Sequence, residues 1–415
     1  MRIPLYGNVC NNMLAIARAV REHTDHQADL FLGTESENNN LPENDYPEYR
    51  DGYPDWIKRS PDYNFKRNLN PYSRKNICKI LSGYDLVILS SIYVALAPYI
   101  RGPRISFYVT GGDLTVLPFA RTNRILVGTG FIKSLIHQTL QRRGIRSIDA
   151  IITQPFSPFV NAIQRLGIPA SKIVPAYLPI LIDTDAIAAS DDPMARMRPT
   201  DREAWERFRF RIFHPSRIMV KDDPLLRDAG QWKRNDRLLR AFAQFVRERD
   251  ARDAGLYLIK LQGGQTPEIQ NFQALSEHLG IADQVVWLDP PTPQGYPRAM
   301  LTHFYSGADI VADDFGAGWF GSICMEGFSC GKPVLSYVDE AAMAQLYPDH
   351  PFLSDNTDAG NAQLIAKIYD DPTFAKTLGA RGRDWAVQHH SLHNGSQIYL
   401  RAIGKILGLG TEPKL

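Results

Sequence analysis

A two-domain α/β fold with parallel sheets is predicted by three features: the length of the chain, its alternation of short apolar runs with helical patterns, and a glycine turn that enters a helix near residue 320. A chain of 415 residues exceeds what one hydrophobic core usually serves. An apolar content of 44% supplies two cores of ordinary size. Apolar runs of strand length, each followed by a helix-period segment, imply βαβ units, because parallel neighbours are joined by a crossover and not by a tight turn.

In the first half, strands are expected at Ile3 to Tyr6, Ala28 to Leu32, Leu86 to Leu89, Ile105 to Val109, Ala150 to Thr153 and Ile173 to Pro175. The second half repeats the design with FRIFHPSR, LYLIKLQGG, QVVWLD, ADIVAD and PVLSYV. The two halves read as Rossmann-like domains over 1–182 and 208–390. The polar stretch 183–207 shows no strand and reads as a linker, and 391–415 as a closing segment that packs across the interface. Residues 34–73 interrupt the first domain with a tyrosine-rich polar stretch around Trp56. Loops of that length are functional or disordered as a rule, so the stretch is either a platform for stacking on sugar rings or an insertion packed over the domain.

Forty-seven basic against 45 acidic residues leave a net charge of +2, which excludes a global nucleic-acid signature. Any anion site must be local. The N-terminus enters a strand directly and no run of about 18 apolar residues appears, so a cytoplasmic protein is expected. Cys10, Cys78, Cys324 and Cys330 form no CxxC pair and read as reduced packing residues.

The segment richest in chemistry is Gly318 to Val334, GWFGSICMEGFSCGKPV, preceded by the strand-like ADIVADD. Strand, glycine turn and helix in that order place free backbone N–H groups around Gly321, Ser322 and Ile323, with the helix dipole behind them, where an anion binds well. Glu326, one turn on, is placed to accept hydrogen bonds from ribose hydroxyls. The segment reads as a cradle for a nucleoside diphosphate; the competing reading is an ordinary strand-turn-helix of a parallel sheet.

At these residues the chain resembles the retaining glycosyltransferases of family 4, whose C-terminal domain carries an element written roughly EGFGLxxLEAMACGxPV. Phe320, Gly321, Glu326, Cys330, Gly331, Pro333 and Val334 fall on matching positions. Gly318 departs from the pattern, since it stands where the family has its first glutamate; Asp313 or Asp314 is the carboxylate nearest in sequence to replace it. The resemblance implies the GT-B arrangement, two Rossmann-like domains facing a central cleft. It also implies transfer of a sugar, with retention, from a nucleotide diphosphate donor to an acceptor hydroxyl, without a metal or other cofactor, in a surface polysaccharide or glycolipid pathway.

Residue by residue, the resemblance puts Gly7 and Asn8, in the first βα turn, beside the donor and Asn11 beside the acceptor. After the strand RISFYV, Gly112 and Asp113 face the acceptor, and Asp113 orients its hydroxyl or acts as a base; Thr110 stands where the family often has histidine. A helix cap is the competing role for Asp113. Arg217 and Lys233 grip the donor diphosphate, with Lys221 as a rival to Lys233. Gly263, Gly264 and Leu288 border the base through main-chain groups. The basic stretch 119–146, which mixes Arg121, Arg124, Lys133, Arg142, Arg143 and Arg146 with apolar residues, reads either as a face for peripheral contact with anionic lipid at the inner face of the membrane or as a domain helix with its apolar stripe in the core and its basic end solvated.

Two metal-like patterns are set aside. Asp222-Asp223 and Asp313-Asp314 lack a ligand geometry of their own, and His389, His390 and His393 read as a solvated helix face without a third zinc ligand. The rival functions are a GT-B enzyme of another reaction type, an inverting transferase or a nucleotide-sugar epimerase, and a catalytically inactive GT-B-like binding protein.

Overall fold

The computed structural model of the chain describes residues 1–33, 41–60, 71–119, 129–176, 197–260, 266–292 and 295–409. Two compact units share the chain: Met1–Leu181 with Leu392–Leu415, and Ile182–Ser391.

The first unit is built on seven parallel strands, β1 (Arg2–Tyr6), β2 (Gln27–Leu32), β3 (Ile57–Arg59), β4 (Leu86–Ser90), β5 (Arg104–Tyr108), β6 (Ala150–Thr153) and β7 (Ile173–Pro175), in the order β3-β2-β1-β4-β5-β6-β7. The central strand β4, LVILS, is buried at every residue, as expected where helices cover both faces of a parallel sheet. Its apolar run is therefore unbroken rather than alternating. The strand order reverses between β1 and β4, and such switch points open a crevice at the carboxyl ends of the strands.

The second unit has five parallel strands, β8 (Phe210–His214), β9 (Ala254–Ile259), β10 (Val285–Leu288), β11 (Ile310–Ala312) and β12 (Val334–Leu335), in the order β10-β9-β8-β11-β12. Here the switch point lies between β8 and β11. The helix Asn235–Arg249 shows why the core forms: Leu238, Leu239, Phe242 and Phe245 recur at helical spacing and all are fully buried. Each such side chain contributes about 1.5–3 kcal/mol by leaving water.

Every strand expected from the sequence is present, and the structure adds β3. This strand lies inside the stretch 34–73, of which 41–60 is described, and pairs with β2 from Leu30 to Leu32. Around it the aromatic residues pack on the first helix, Asn12–His23: the Arg18 guanidinium lies 4.1 Å from the Tyr46 ring centre and Arg21 lies 5.3 Å from that of Trp56. The described part is thus an insertion packed over the domain, and Trp56 is not held out for a sugar.

Of the stretch 183–207, residues 197–207 are described, and Pro199–Glu206 is a helix. Its Trp205 is fully buried against Phe213, Tyr257 and Phe304. The helix Leu392–Leu407 belongs to the first unit, with Leu400, Ile403 and Ile406 buried and Tyr399 Oη 2.9 Å from Tyr108 Oη.

Two smaller expectations are overturned. Cys10, in a turn of left-handed conformation (φ 49°), is exposed and not a packing residue. His390 is fully buried, not solvated: its ring centre lies 4.9 Å from that of Trp385, 5.5 Å from Phe320 and 5.6 Å from Tyr347. Burial pulls its pKa down to about 3.

Candidate functional site

In the first unit the groups singled out from sequence meet at the carboxyl ends of β1, β4 and β5. Gly7 adopts φ +104°, and a Cβ there would lie 2.6 Å from Ser90 O. The turn after β1 thus passes so close to β4 that glycine is required. Asn8 and Asn11 are both buried and bond to each other, Asn8 Nδ2 donating to Asn11 Oδ1 at 2.7 Å. Asn8 Oδ1 also accepts from Leu14 N (3.0 Å), and Asn11 Nδ2 donates to Leu41 O (2.9 Å).

Asp113 is 5% exposed. Its carboxylate accepts from Ser91 N (3.0 Å), Thr110 N (3.1 Å), Thr110 Oγ1 (2.9 Å) and Gly111 N (2.9 Å). Burial raises its pKa and those hydrogen bonds oppose the rise. Four donors match the acceptor capacity of a carboxylate. Asp113 therefore holds the turn that carries Gly112.

In the second unit, Arg217, Lys233, Asp313, Asp314, the turn 316–321 and the helix Ser322–Ser329 gather at the ends of β8 and β11. The buried His214 closes β8: its Nδ1 donates to Ala312 O (2.8 Å), and its Nε2 accepts from Asn235 Nδ2 (2.6 Å). Both contacts suit a neutral ring, and burial draws the pKa down to about 4. Two residues on, Ser216 Oγ donates to Asp313 Oδ1 (2.9 Å). Arg217 follows directly and is exposed, with no ion-pair partner among the described residues.

Lys233 stands differently. Its Nζ lies 3.0 Å from Asp313 Oδ1 and 3.1 Å from Asp314 Oδ2, with Asp313 and Asp314 almost fully buried. Burial works against the ammonium charge, and the two carboxylates overcome it and hold the pKa above its usual value. The loop is pinned to the next turn, since Phe315 N donates to Lys233 O at 3.0 Å. Asp314 also accepts from Gly316 N (2.8 Å) and Ala317 N (2.7 Å). Both aspartates are thus engaged with groups of the protein. The rival Lys221 is exposed, and its backbone N–H donates to Glu268 Oε2 at 3.0 Å.

Gly318 has φ +79°, and a Cβ there would come 3.3 Å from the Tyr337 ring. A glutamate at this position would meet both backbone strain and a ring. The N-cap Gly321 offers no side chain to the first turn of Ser322–Ser329, which leaves the amides of Ser322 and Ile323 without a side-chain cap. Glu326 is buried with 7% of its side chain exposed, and its Oε1 is 2.9 Å from Arg298 Nη2. Sequence reasoning missed Arg298, His214, Ser216 and Asn235. For Arg298 a signal existed, a cation at the first position of a helix.

Leu288 is buried at the end of β10, and its carbonyl accepts from Lys260 N at 3.0 Å. Gly263 and Gly264 lie outside the described residues. Of the basic stretch, 120–128 and the side chains of 129–134 lie outside them too. In the remainder of the helix Thr129–Ser147, Leu135 and Ile136 are exposed, and Arg142, Arg143 and Arg146 line a surface recess. Among the described residues, no three or more His, Cys, Asp or Glu side chains are grouped to hold a metal ion, and no helix is long and apolar enough to cross a membrane.

No known protein-family profile matches the chain. Its sequence is similar to a GDP-mannose-dependent α-(1-6)-phosphatidylinositol monomannoside mannosyltransferase of Mycolicibacterium smegmatis, 27% identical over 51% of this chain and 52% of the relative. It is also similar to a D-inositol 3-phosphate glycosyltransferase of Corynebacterium diphtheriae, 31% identical over 26% of this chain and 24% of the relative. The match thus spans about half of one curated relative and a quarter of the other. In structure the chain is similar to Anabaena HepE in complex with UDP, with a TM-score of 0.65 at 15% identity over 98% of this chain and 100% of that one. The fold is GT-B, and the sequence similarity to a curated glycosyltransferase extends over 222 residues.

Proposed function

We propose that the protein is a nucleotide-sugar-dependent glycosyltransferase that moves a sugar from a nucleoside diphosphate to an acceptor hydroxyl with retention. The observation that carries this reading is the second switch point, where the exposed Arg217 follows β8 and, after β11, the side-chain-uncapped helix Ser322–Ser329 carries the buried carboxylate of Glu326. Departure of the sugar leaves negative charge on the diphosphate. Arg217 and the helix amides are placed to stabilise that charge, and fixed donors of this kind act without reorganising during the reaction. Lys233, already held between two aspartates, anchors the loop and adds its field. Glu326 accepts the ribose hydroxyls. In the first unit, the turn fixed by Asp113 presents Gly112 to the acceptor.

The proposed setting is glycolipid or surface polysaccharide synthesis, in line with the lipid substrate named for the mycobacterial relative. The exposed Leu135 and Ile136, on the same helix as Arg142, Arg143 and Arg146, support peripheral contact with an anionic membrane. Catalysis is proposed to need no metal, so turnover should survive a chelator.

The direct test screens nucleotide sugars for donor hydrolysis and thermal stabilisation, in wild type and in Glu326→Ala and Arg217→Ala. Stabilisation by one nucleotide, lost in both variants, supports the reading and names the donor. The absence of any response would remove it. Once a donor and an acceptor are known, NMR of the product settles retention, because an inverted anomeric centre contradicts it.

A further inference from the structure

Glu326 is held by a residue far away in sequence. Arg298 is the first residue of the helix Arg298–Gly307, directly after Pro297. A cation at that end opposes the helix dipole, so the position is locally unfavourable and calls for a partner. That partner is Glu326, at 2.9 Å. Tyr305, seven residues on and so on the same face of the helix, is buried and directs its hydroxyl to the same carboxylate. Burial first, and the Glu326 charge second, push the tyrosine pKa well above its usual value. One helix therefore grips the carboxylate at two points. Held at two points, the carboxylate keeps one orientation, and a diol is bound well only by an acceptor that is already aimed.

We propose that Arg298 is a positioning residue. It fixes and aims the Glu326 carboxylate, and so sets the preference of the site for ribonucleotides over 2′-deoxyribonucleotides. The inference rests on the reading of Glu326 as the ribose contact. A carboxylate offers about four lone-pair sites, so engagement by Arg298 and Tyr305 leaves capacity for sugar hydroxyls.

The experiment measures affinities of the full chain for UDP and GDP, their 2′-deoxy counterparts and inorganic pyrophosphate, by calorimetry. Wild type should favour the better ribonucleotide about tenfold over its deoxy form, since a site built around a hydroxyl rejects the analogue that lacks it. In Arg298→Gln the ratio should fall to about twofold or less, while pyrophosphate affinity changes by less than about twofold; a merely structural loss would weaken both ligands alike. Arg298→Lys keeps the charge without the fork and should give an intermediate ratio. It carries the same test where Arg298→Gln does not fold. A wild-type ratio retained in these variants but lost in Glu326→Gln overturns the role of Arg298 alone. No preference in wild type, or none lost in Glu326→Gln, overturns the ribose reading along with it. Equal loss of pyrophosphate and ribonucleotide in Arg298→Gln also overturns the proposal.

Discussion

At the ends of β1, β4 and β5, the polar side chains of Asn8, Asn11 and Asp113 hydrogen-bond within the unit, to their own turns and to Leu41 and Ser91. At the ends of β8 and β11, charges from separate elements converge, Arg217 after β8, Lys233 before its helix, Asp313 after β11 and Glu326 with Arg298 across two helices. Both are switch points of parallel sheets, so topology alone does not distinguish them. The difference lies in what remains for a ligand. The first offers a backbone shape stiffened from within. The second offers an exposed guanidinium, a helix start without a capping side chain and a supported carboxylate, the materials of an anion and ribose site.

The largest expected effect breaks the second site. Arg217→Ala should lower kcat/KM for the donor by about 10²–10³-fold, the scale seen when one fixed donor to developing charge is lost. Because Arg217 is exposed, the melting temperature should stay within about 1 °C. Steady-state kinetics beside a thermal melt checks both, and an inactive variant that also melts early would point to a structural role.

Breaking the first switch point should act on stability instead. Asp113→Ala leaves the N–H groups of Ser91, Thr110 and Gly111 without their acceptor. At about 1 kcal/mol or more for each orphaned donor, the loss should be about 3 kcal/mol. Chemical denaturation measures it, and a loss below about 1 kcal/mol would show that the carboxylate does not hold the turn.

Acid should separate the two units by sign. His390 titrates near 3 when folded against an ordinary 6.5. Its contribution is therefore complete above about pH 6.5 and erodes as the pH falls towards 3, by roughly 2 kcal/mol at pH 5. The raised pKa of Asp113 works in the opposite direction, its contribution fading as the pH rises. His390→Phe, which keeps an aromatic ring in the cluster, should flatten the decline of the melting temperature between pH 7 and 5. An unchanged slope would place the acid sensitivity elsewhere. The smallest effect is at Gly318, where Gly318→Ala should cost about 1 kcal/mol for its left-handed backbone; no measurable loss would mean that the turn relaxes and that a glutamate is tolerable there.

Much of the fold was legible because parallel strands buried on both faces leave unbroken apolar runs, as at Leu86 to Leu89. β3 was not, since Ile57–Arg59 has three residues and one buried apolar side chain. The helix Pro199–Glu206 was hidden for a related reason: it is polar apart from Ala204 and Trp205, and one buried tryptophan sets no period. Glu326 and Arg217 were legible through a motif and a strand end. The pairing of Lys233 with Asp313, 80 residues away, leaves no trace in local sequence. The same holds for Arg298 and for the His214–Asn235 contact. Long-range hydrogen bonds decide which charges face a ligand, and they exist only once the strands are ordered.

The account turns on whether the second switch point, and not the first, binds the nucleotide. Calorimetric titration of the full chain with UDP, GDP and ADP, in wild type, Arg217→Ala and Asp113→Asn, tests this most directly. At least one nucleoside diphosphate should bind wild type, weaken tenfold or more in Arg217→Ala and stay within about twofold in Asp113→Asn. Binding of none of the three, or equal weakening in both variants, would contradict it.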